Sequence, residues 1–173
     1  MNKNISLALI LCAGLTAASC DIILDGDSYF VPQDFSMMIT LSDADGGDLL
    51  SDSYEGNWRD TSILCTFKGK EYEVKSLDDF NTAGLNLIIT SYYDQYTNIT
   101  SNVLYLGNFG GMTNYDDDIV FSWPDNTADT LHLYNKVTLS ETQPSAATEA
   151  ERYFSYKGEY IMTLPFALVK GNN

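Results

Sequence analysis

One stretch of the sequence combines carboxylates with glycines in the way that calcium-binding loops do. Its candidate ligands are Asp43, Asp45 and Asp48. An EF-hand loop also requires glycine at its sixth position and an acid at its twelfth, but Asp48 and Tyr54 stand there. The stretch is therefore not an EF-hand. It is either an irregular calcium site completed by ligands from elsewhere, or an acidic turn whose aspartates accept hydrogen bonds from backbone amides.

Tyrosines are concentrated in the middle of the chain. Tyr92, Tyr93 and Tyr96 lie close to threonine, asparagine and aspartate, and we expect residues 93–98 to form a loop tip. Exposed aromatic rings are favoured in binding surfaces, and the neighbouring polar groups could bind hydroxyls. The cluster predicts either a glycan or peptide site, or ordinary strand tyrosines that pack across neighbouring strands.

Residues for nucleophilic or acid–base catalysis are scarce, and the sequence has a single histidine, His132. A serine triad would need His132 beside an activated serine and an acid, and the Gly-x-Ser-x-Gly motif is absent. Nucleotide-binding glycine motifs are absent as well. Among 24 acidic residues, carboxylate pairs arise by abundance and identify no glycosidase site. We expect a protein that is not an enzyme and has no cofactor, with calcium as the alternative.

The first twenty residues have the pattern of a bacterial lipoprotein signal. Lys3 precedes an apolar run at 5–15, and small residues lead directly to Cys20. This order is typical of an export signal with its cleavage site, and the run is too short for a membrane span, which needs about 20 apolar residues. We expect cleavage before Cys20 and acylation of its thiol, palmitate included. Ordinary secretion without lipid is the alternative.

The cysteines exclude a disulfide framework in the mature chain. Cys12 leaves with the signal and Cys20 is expected to carry lipid, so Cys65 remains alone. Cys65 lies in an alternating apolar run, which favours a buried structural cysteine over a nucleophile.

The charge restricts the partners. With a net charge of −15, the chain is a poor match for nucleic acid phosphates and for anionic lipid surfaces. We therefore expect contact with a membrane through the lipid at Cys20, and a partner that is an envelope protein or a glycan. The expected location is the outer membrane of a Gram-negative bacterium, on either the surface or the periplasmic side.

The elements that would position these residues are strands, because apolar and polar residues alternate along most of the chain. The expected strands lie at 35–41, 63–67, 71–75, 85–90, 103–109, 119–123, 131–139 and 160–169. Gly69 predicts a tight hairpin turn, and Pro165 predicts an edge or bulged last strand. Only 144–153 has a helical pattern.

This spacing of short strands predicts an all-β fold. We expect a single antiparallel β-sandwich with one short helix, and a small β-barrel is the alternative. The expected organisation is a signal at 1–19, a lipidated tether at 20–34 and a domain at 35–173.

Three motifs carry a family resemblance. They are the Asp-x-Asp-Gly-x-Asp-Leu-Leu stretch at 43–50, the Gly-Lys-x-Tyr hairpin at 69–72, and a second hairpin with Trp123, Asp125 and Asp129-Thr130-Leu131. Together with a lipidated cysteine upstream, they resemble small lipoproteins of Bacteroidetes-type gut bacteria. The resemblance implies an immunoglobulin-like β-sandwich of uncharacterised function, without catalytic residues. The expected function is that of a non-enzymatic interaction or binding module.

Overall fold

Strands make up more than half of the residues that the structure describes. The computed structural model describes residues 29–171 except 60 and 83, so the predicted signal, Cys20 and the first part of the predicted tether lie outside the described residues. The strands are β1 (Phe35–Asp43), β2 (Leu64–Phe67), β3 (Lys70–Lys75), β4 (Asn86–Asp94), β5 (Ile99–Phe109), β6 (Tyr115–Ser122), β7 (Ala128–Leu139), β8 (Ala147–Tyr156), β9 (Glu159–Tyr160) and β10 (Phe166–Lys170). A 3₁₀ helix covers Leu77–Asp79. The all-β prediction is confirmed, and no helix in this part of the chain is long and apolar enough to cross a membrane.

The strands form one curled sheet in the order β10-β1-β5-β4-β3-β2-β6-β7-β8-β9. The prediction of a purely antiparallel sheet is wrong at two places, because the β1–β10 and β3–β4 pairs are parallel. After β9 the chain crosses to the far end of the sheet, so β10 runs beside β1 in the same direction.

Curling brings β1 and β10 opposite β7 and β8. The ring centroids of Phe35 and Phe154 are 5.9 Å apart, and those of Tyr156 and Phe166 are 5.4 Å apart. This half-barrel shape is compatible with the small-barrel alternative, and the immunoglobulin-like sandwich stays a prediction.

The core follows directly from the alternation in the sequence. Successive side chains of a strand point to opposite faces, so Met37, Ile39 and Leu41 of β1 are all buried on the concave face. Cys65 of β2 joins them, unpaired and fully buried. Burial raises the pKa of its thiol to about 12, so the thiol stays protonated at neutral pH. The expectation of a buried structural cysteine is confirmed.

The expected helix at 144–153 is wrong, because Ala147–Tyr156 is strand β8. Within β8, Ala147 and residues 149–156 pair with β7, and the register shifts at Thr148. Backbone pairing along β7 and the burial of Phe154 outweigh the modest helical preference of alanine and glutamate.

The expected last strand at 160–169 is divided into two. The short β9 ends at Tyr160, and β10 begins at Phe166, directly after Pro165. Because proline cannot donate a ladder hydrogen bond, it fits an edge position, and β10 is an edge strand of the sheet.

Two hairpins use the same turn chemistry. Lys68 and Gly69, between β2 and β3, have φ values of 51° and 72°, and Lys157 and Gly158, between β8 and β9, have 51° and 82°. Two consecutive residues with positive φ match the twist of antiparallel strands. The predicted tight turn at Gly69 is confirmed.

The described part of the predicted tether is attached to the sheet. Phe30 and Ala147 exchange two backbone hydrogen bonds of 2.9 and 2.7 Å, and the Asp34 carboxylate accepts a bond of 2.9 Å from the amide of Gly111. Residues 29–34 therefore lead the chain across the end of β8 and into β1.

A buried ion pair joins the two opposing parts of the sheet. The ammonium of Lys170, on β10, lies 2.7 Å from an oxygen of Asp129, on β7, with 9% and 13% of the two side chains exposed. Asp129 also accepts hydrogen bonds from the indole of Trp123 at 2.7 Å and the hydroxyl of Tyr156 at 2.5 Å. Burial alone would raise the pKa of Asp129, but these three donors outweigh burial and hold the pKa below its usual value.

We expect Lys170→Met to destabilise the protein by about 3 kcal/mol, because Asp129 would remain buried without its cation. Urea unfolding at pH 7 measures this, with Lys75→Met at an exposed position as the control, expected to change stability by less than about 0.5 kcal/mol. Because the pKa of Asp129 is lower in the folded state than in the unfolded state, its ionised carboxylate stabilises the fold above about pH 4. This stabilisation is lost as the pH falls through the pKa of Asp129 in the folded protein. The difference between the wild type and Lys170→Met should therefore shrink in acid. Equal stability of the two at pH 7 would contradict a stabilising role for the pair.

Candidate functional site

The acidic stretch forms a turn at the end of β1. One carboxylate oxygen of Asp43 accepts hydrogen bonds from the amides of Asp45 and Gly47, at 2.9 and 2.8 Å. The other accepts a bond from the hydroxyl of Tyr54. The bond from Tyr54, followed by that from the Gly47 amide, holds the pKa of Asp43 below its usual value. The carboxylate of Asp43 is thus committed to the loop that follows it.

The carboxylate of Asp48 binds partners that Asp43 does not share. It accepts bonds from the Leu50 amide at 2.9 Å and from the Asn102 side chain at 2.8 Å, while Asp45 is exposed. No three histidine, cysteine or acidic side chains within the described ranges are arranged to hold a metal ion. The structure therefore does not bring Asp43, Asp45 and Asp48 together as a cation site, and it shows the capping bonds of the alternative interpretation.

The ring of Tyr54 packs directly on Gly47. A Cβ at Gly47 would lie 2.1 Å from the Tyr54 Cζ atom, which is far inside van der Waals contact. Gly47 is therefore needed for close approach of the ring, and this approach places the Tyr54 hydroxyl on Asp43.

The tyrosine-rich segment is the β4–β5 hairpin, and its predicted loop tip is confirmed at the turn between Asp94 and Ile99. Tyr93 and Tyr96 are 57% and 58% exposed. The Asp94 carboxylate accepts bonds of 2.8 Å from the Tyr96 amide and from the Thr97 hydroxyl, which hold its pKa below the usual value. The tip is thus a braced turn.

The three tyrosines do not form one platform. Adjacent residues of a strand point to opposite faces, so Tyr92, which is half-buried, lies on the other face of the hairpin from Tyr93. The Tyr93 hydroxyl donates to the Asn98 side chain at 2.7 Å. Of these three tyrosines, only Tyr93 and Tyr96 present well-exposed rings.

His132 lies on the outer face of β7, between two aspartates of the neighbouring β6. Its ring nitrogens are 3.0 Å from an Asp118 oxygen and 3.2 Å from an Asp116 oxygen. The histidine links β7 to two side chains of β6, and it does not line the cleft described next.

Sequence reasoning missed a cleft of about 480 Å³ at the edge of the sheet. It is lined by residues 35–36 of β1, 151–154 of β8, and 160–164, which end β9 and lead toward β10. Tyr160 and Met162 are 63% and 81% exposed beside it. We call this cleft, with these lining residues, the edge cleft.

The edge cleft runs along β8 itself. Four consecutive residues of that strand line it, and consecutive residues point to opposite faces, so the cleft must wrap around the strand edge. On the inner face, the Arg152 guanidinium lies 3.7 Å from the centroid of the Phe35 ring and donates to Asn135 at 2.9 Å. The charge of Arg152 is therefore turned inward.

The outer face of the edge cleft is aromatic. Tyr153 stacks on Tyr134 with a centroid distance of 4.9 Å and meets the edge of Tyr160 at 4.6 Å. Burial is the largest cause that raises the pKa of Tyr153, and neighbouring groups that include Tyr160 and Glu151 raise it further. The cleft therefore combines aromatic surface with a negative rim.

The edge of β8 is paired at its two ends only. Ala147 pairs with Phe30 at one end, and the Ile161 amide donates to the Phe154 carbonyl at 2.8 Å at the other. Between them, no described strand pairs with residues 148–153 on the side away from β7. An alternating strand pattern at 147–156 would have been the sequence signal for this edge, and the helical composition of the segment obscured it.

Comparison of the chain with protein-family models, with curated proteins and with solved structures gave no match.

Replacing Tyr54 by phenylalanine should raise the pKa of Asp43 toward its ordinary value, because the Tyr54 hydroxyl is the main cause of the lowered pKa. An NMR titration of the carboxyl carbon measures this. The stabilisation given by the bond should be present above about pH 4 and disappear as the pH falls through the folded pKa. Tyr93→Phe, which removes a hydroxyl at the hairpin tip, is the control. An unshifted Asp43 titration in Tyr54→Phe would contradict the prediction.

Proposed function

We propose that the protein is a non-enzymatic interaction module whose contact surface is the edge cleft. The observation that carries this proposal is an apolar cleft beside an unpaired strand edge, with Tyr160 and Met162 largely exposed at its rim. Contiguous exposed apolar surface on a monomer is typical of an interaction site, and tyrosine and methionine are enriched in such sites.

A third exposed apolar side chain supports the same location. Val31 is 57% exposed and directly follows Phe30, which pairs with β8 at Ala147. Exposed apolar residues therefore occur near both ends of the unpaired edge, which favours a partner that extends along the strand.

Three reactive groups in the described part of the chain support a binding role over catalysis. The Cys65 thiol is buried and protonated, and the Arg152 guanidinium in the cleft is bonded to Asn135. His132 lies on the outer face of β7 between two aspartates. Catalysis needs a reactive group within reach of the substrate, and none of these three offers one to the edge cleft.

We further propose that the protein is exported and anchored by lipid at Cys20 in the outer membrane of a Gram-negative bacterium. The order of the charged, apolar and small residues before Cys20 supports this.

For the fold, we propose that the two opposing parts of the sheet act as the layers of an immunoglobulin-like sandwich. The contacts of Phe35 with Phe154 and of Tyr156 with Phe166 support this interpretation.

A second candidate function is glycan or peptide binding by the β4–β5 hairpin tip. The exposed rings of Tyr93 and Tyr96 favour it. The half-buried Tyr92 would support the hairpin from its other face rather than contact the ligand.

Cys20→Ala should abolish incorporation of a palmitate analogue in growing cells and release the protein from the membrane fraction, because the lipid is attached to this thiol. Cys12→Ala changes a cysteine within the predicted signal and should leave labelling intact. Labelled Cys20→Ala protein, or wild-type protein without label, would contradict the lipid anchor.

The two candidate surfaces can be separated by site-specific photo-crosslinking in intact cells. A crosslinking amino acid at Met162 should give a discrete adduct with one envelope protein, and the same group at exposed Lys75 of β3 should give none. Replacement of Tyr160 by serine should weaken the Met162 adduct several-fold. A discrete adduct formed only from Tyr96 would instead favour the hairpin tip. Identical patterns at all positions would contradict a specific contact surface.

A further inference from the structure

We propose that the edge cleft binds an extended peptide segment of a partner protein, which adds as a strand to β8 and alternates apolar with basic residues. This inference rests on the proposed function, since it names the partner chemistry of the same surface. Strand addition uses main-chain hydrogen bonds for affinity and alternate side-chain pockets for specificity, and both are present at this edge.

The backbone groups that would bind the segment follow from the pairing of β8. The Phe154 carbonyl accepts a hydrogen bond on the side away from β7. Because backbone groups alternate in direction along a strand, the amides and carbonyls of Arg152 and Ala150 point to the same side. No described strand pairs with them there. They form a row of two donors and two acceptors along the cleft.

The length of the unpaired edge limits the segment. Phe30 pairs at Ala147 and Ile161 pairs at Phe154, so six residues lie between the two contacts. At about 3.4 Å per residue, they span roughly 20 Å. The occupant is therefore a short segment, which enters between two existing contacts.

The apolar residues of the bound segment are inferred from the inner wall of the edge cleft. Phe35, Phe154 and Leu164 line it, and the volume of about 480 Å³ lies within the roughly 300–1,000 Å³ of ordinary ligand sites. Alternate side chains of an added strand point to this wall, and apolar side chains there would be shielded from water.

The basic residues of the bound segment are inferred from the charge of the outer rim of the edge cleft. Glu149, Glu151 and Glu159 are exposed on β8 and β9, in a chain with a net charge of −15. The Arg152 guanidinium is turned inward, and Lys157 lies 4.8 Å from the centroid of the Tyr156 ring. Lys136 of β7, the cross-strand partner of Glu151, is exposed on the same face, so the three glutamates outnumber this lysine and the rim keeps a negative charge. Side chains that point to this rim should therefore carry positive charge.

The same glutamates disfavour a second copy of the chain as the occupant. An edge-to-edge dimer would place two acidic strands side by side, and like charges across adjacent strands are destabilising. The partner is thus a different protein, and a dimer is one of the outcomes that the test distinguishes.

The test uses purified protein and a synthetic peptide in which lysine alternates with valine and phenylalanine. We expect binding by fluorescence anisotropy, weakened several-fold by Glu151→Gln and by added salt. A peptide of the same composition with N-methylated backbone amides on its bonding side should bind at least tenfold more weakly. Equal binding of the two peptides would overturn strand addition, and no binding of the first peptide would overturn the proposal as a whole.

Hydrogen exchange provides a readout that needs no variant. On binding of the peptide, the amides of Ala150 and Arg152 should become protected, whereas those of Glu149 and Glu151, which point to β7, should not change. Ala150→Pro removes one of the outward donors at a position where proline is tolerated, and it should weaken binding about five- to tenfold. Ala150→Ser, which keeps the amide, should bind like the wild type.

These outcomes separate the inference from the proposed function. A discrete photo-crosslink at Met162 together with unchanged protection of Ala150 and Arg152 would leave the contact surface standing and overturn strand addition. A concentration-dependent dimer of the purified wild type, with the same two amides protected, would overturn the partner named here in favour of a second copy of the chain.

Discussion

The buried contact between Lys170 and Asp129 is the interaction on which the shape of the sheet depends. β7 and β10 are far apart in the order of strands, and this ion pair of 2.7 Å joins them across the concave side. The Tyr156 hydroxyl binds the same carboxylate, so β8 is held as well. A buried charge without its partner is costly, so the curled sheet that buries these two groups requires both of them. The edge cleft exists because this curl places β8 opposite the start of β1.

The outer edge of β8 is covered at its two ends and open between them, at residues 148–153. Exposed strand edges promote unwanted association, and proteins commonly protect them with charges or covering segments. Here Phe30 and Ile161 cover the two ends, and the exposed Glu149 and Glu151 place negative charge along the middle. Like charges on two copies of this edge disfavour self-association, and the same charges would attract the basic segment proposed above. Protection and recognition would then be two consequences of one charge pattern.

Much of the fold could be predicted from local sequence pattern. The alternation of apolar and polar residues predicted most strands, and Gly69 predicted its hairpin turn. Both predictions succeeded because these features depend on residues that are close together in the chain. The motif that begins at Trp123 also has a local cause, since the Trp123 indole binds Asp129 across the hairpin. The burial of Lys170 could not be foreseen in this way. Its partner lies 41 residues earlier, and nothing local distinguishes this lysine from exposed ones. The strand at 147–156 was missed because pairing with β7 overrode local preference.

The candidate site shows the same division between local and long-range causes. The tip carrying Tyr93 and Tyr96 was predictable because a hairpin is local. The role of Asp43 was open, because a carboxylate surrounded by glycines suits either a cation or backbone amides, and the Tyr54 hydroxyl makes the second arrangement complete. The edge cleft depends on Phe35 and Phe154, which are brought together only by the closing of the sheet. Surfaces made by such closure have no motif, so their chemistry has to be inferred from the backbone groups and charges that the fold leaves exposed.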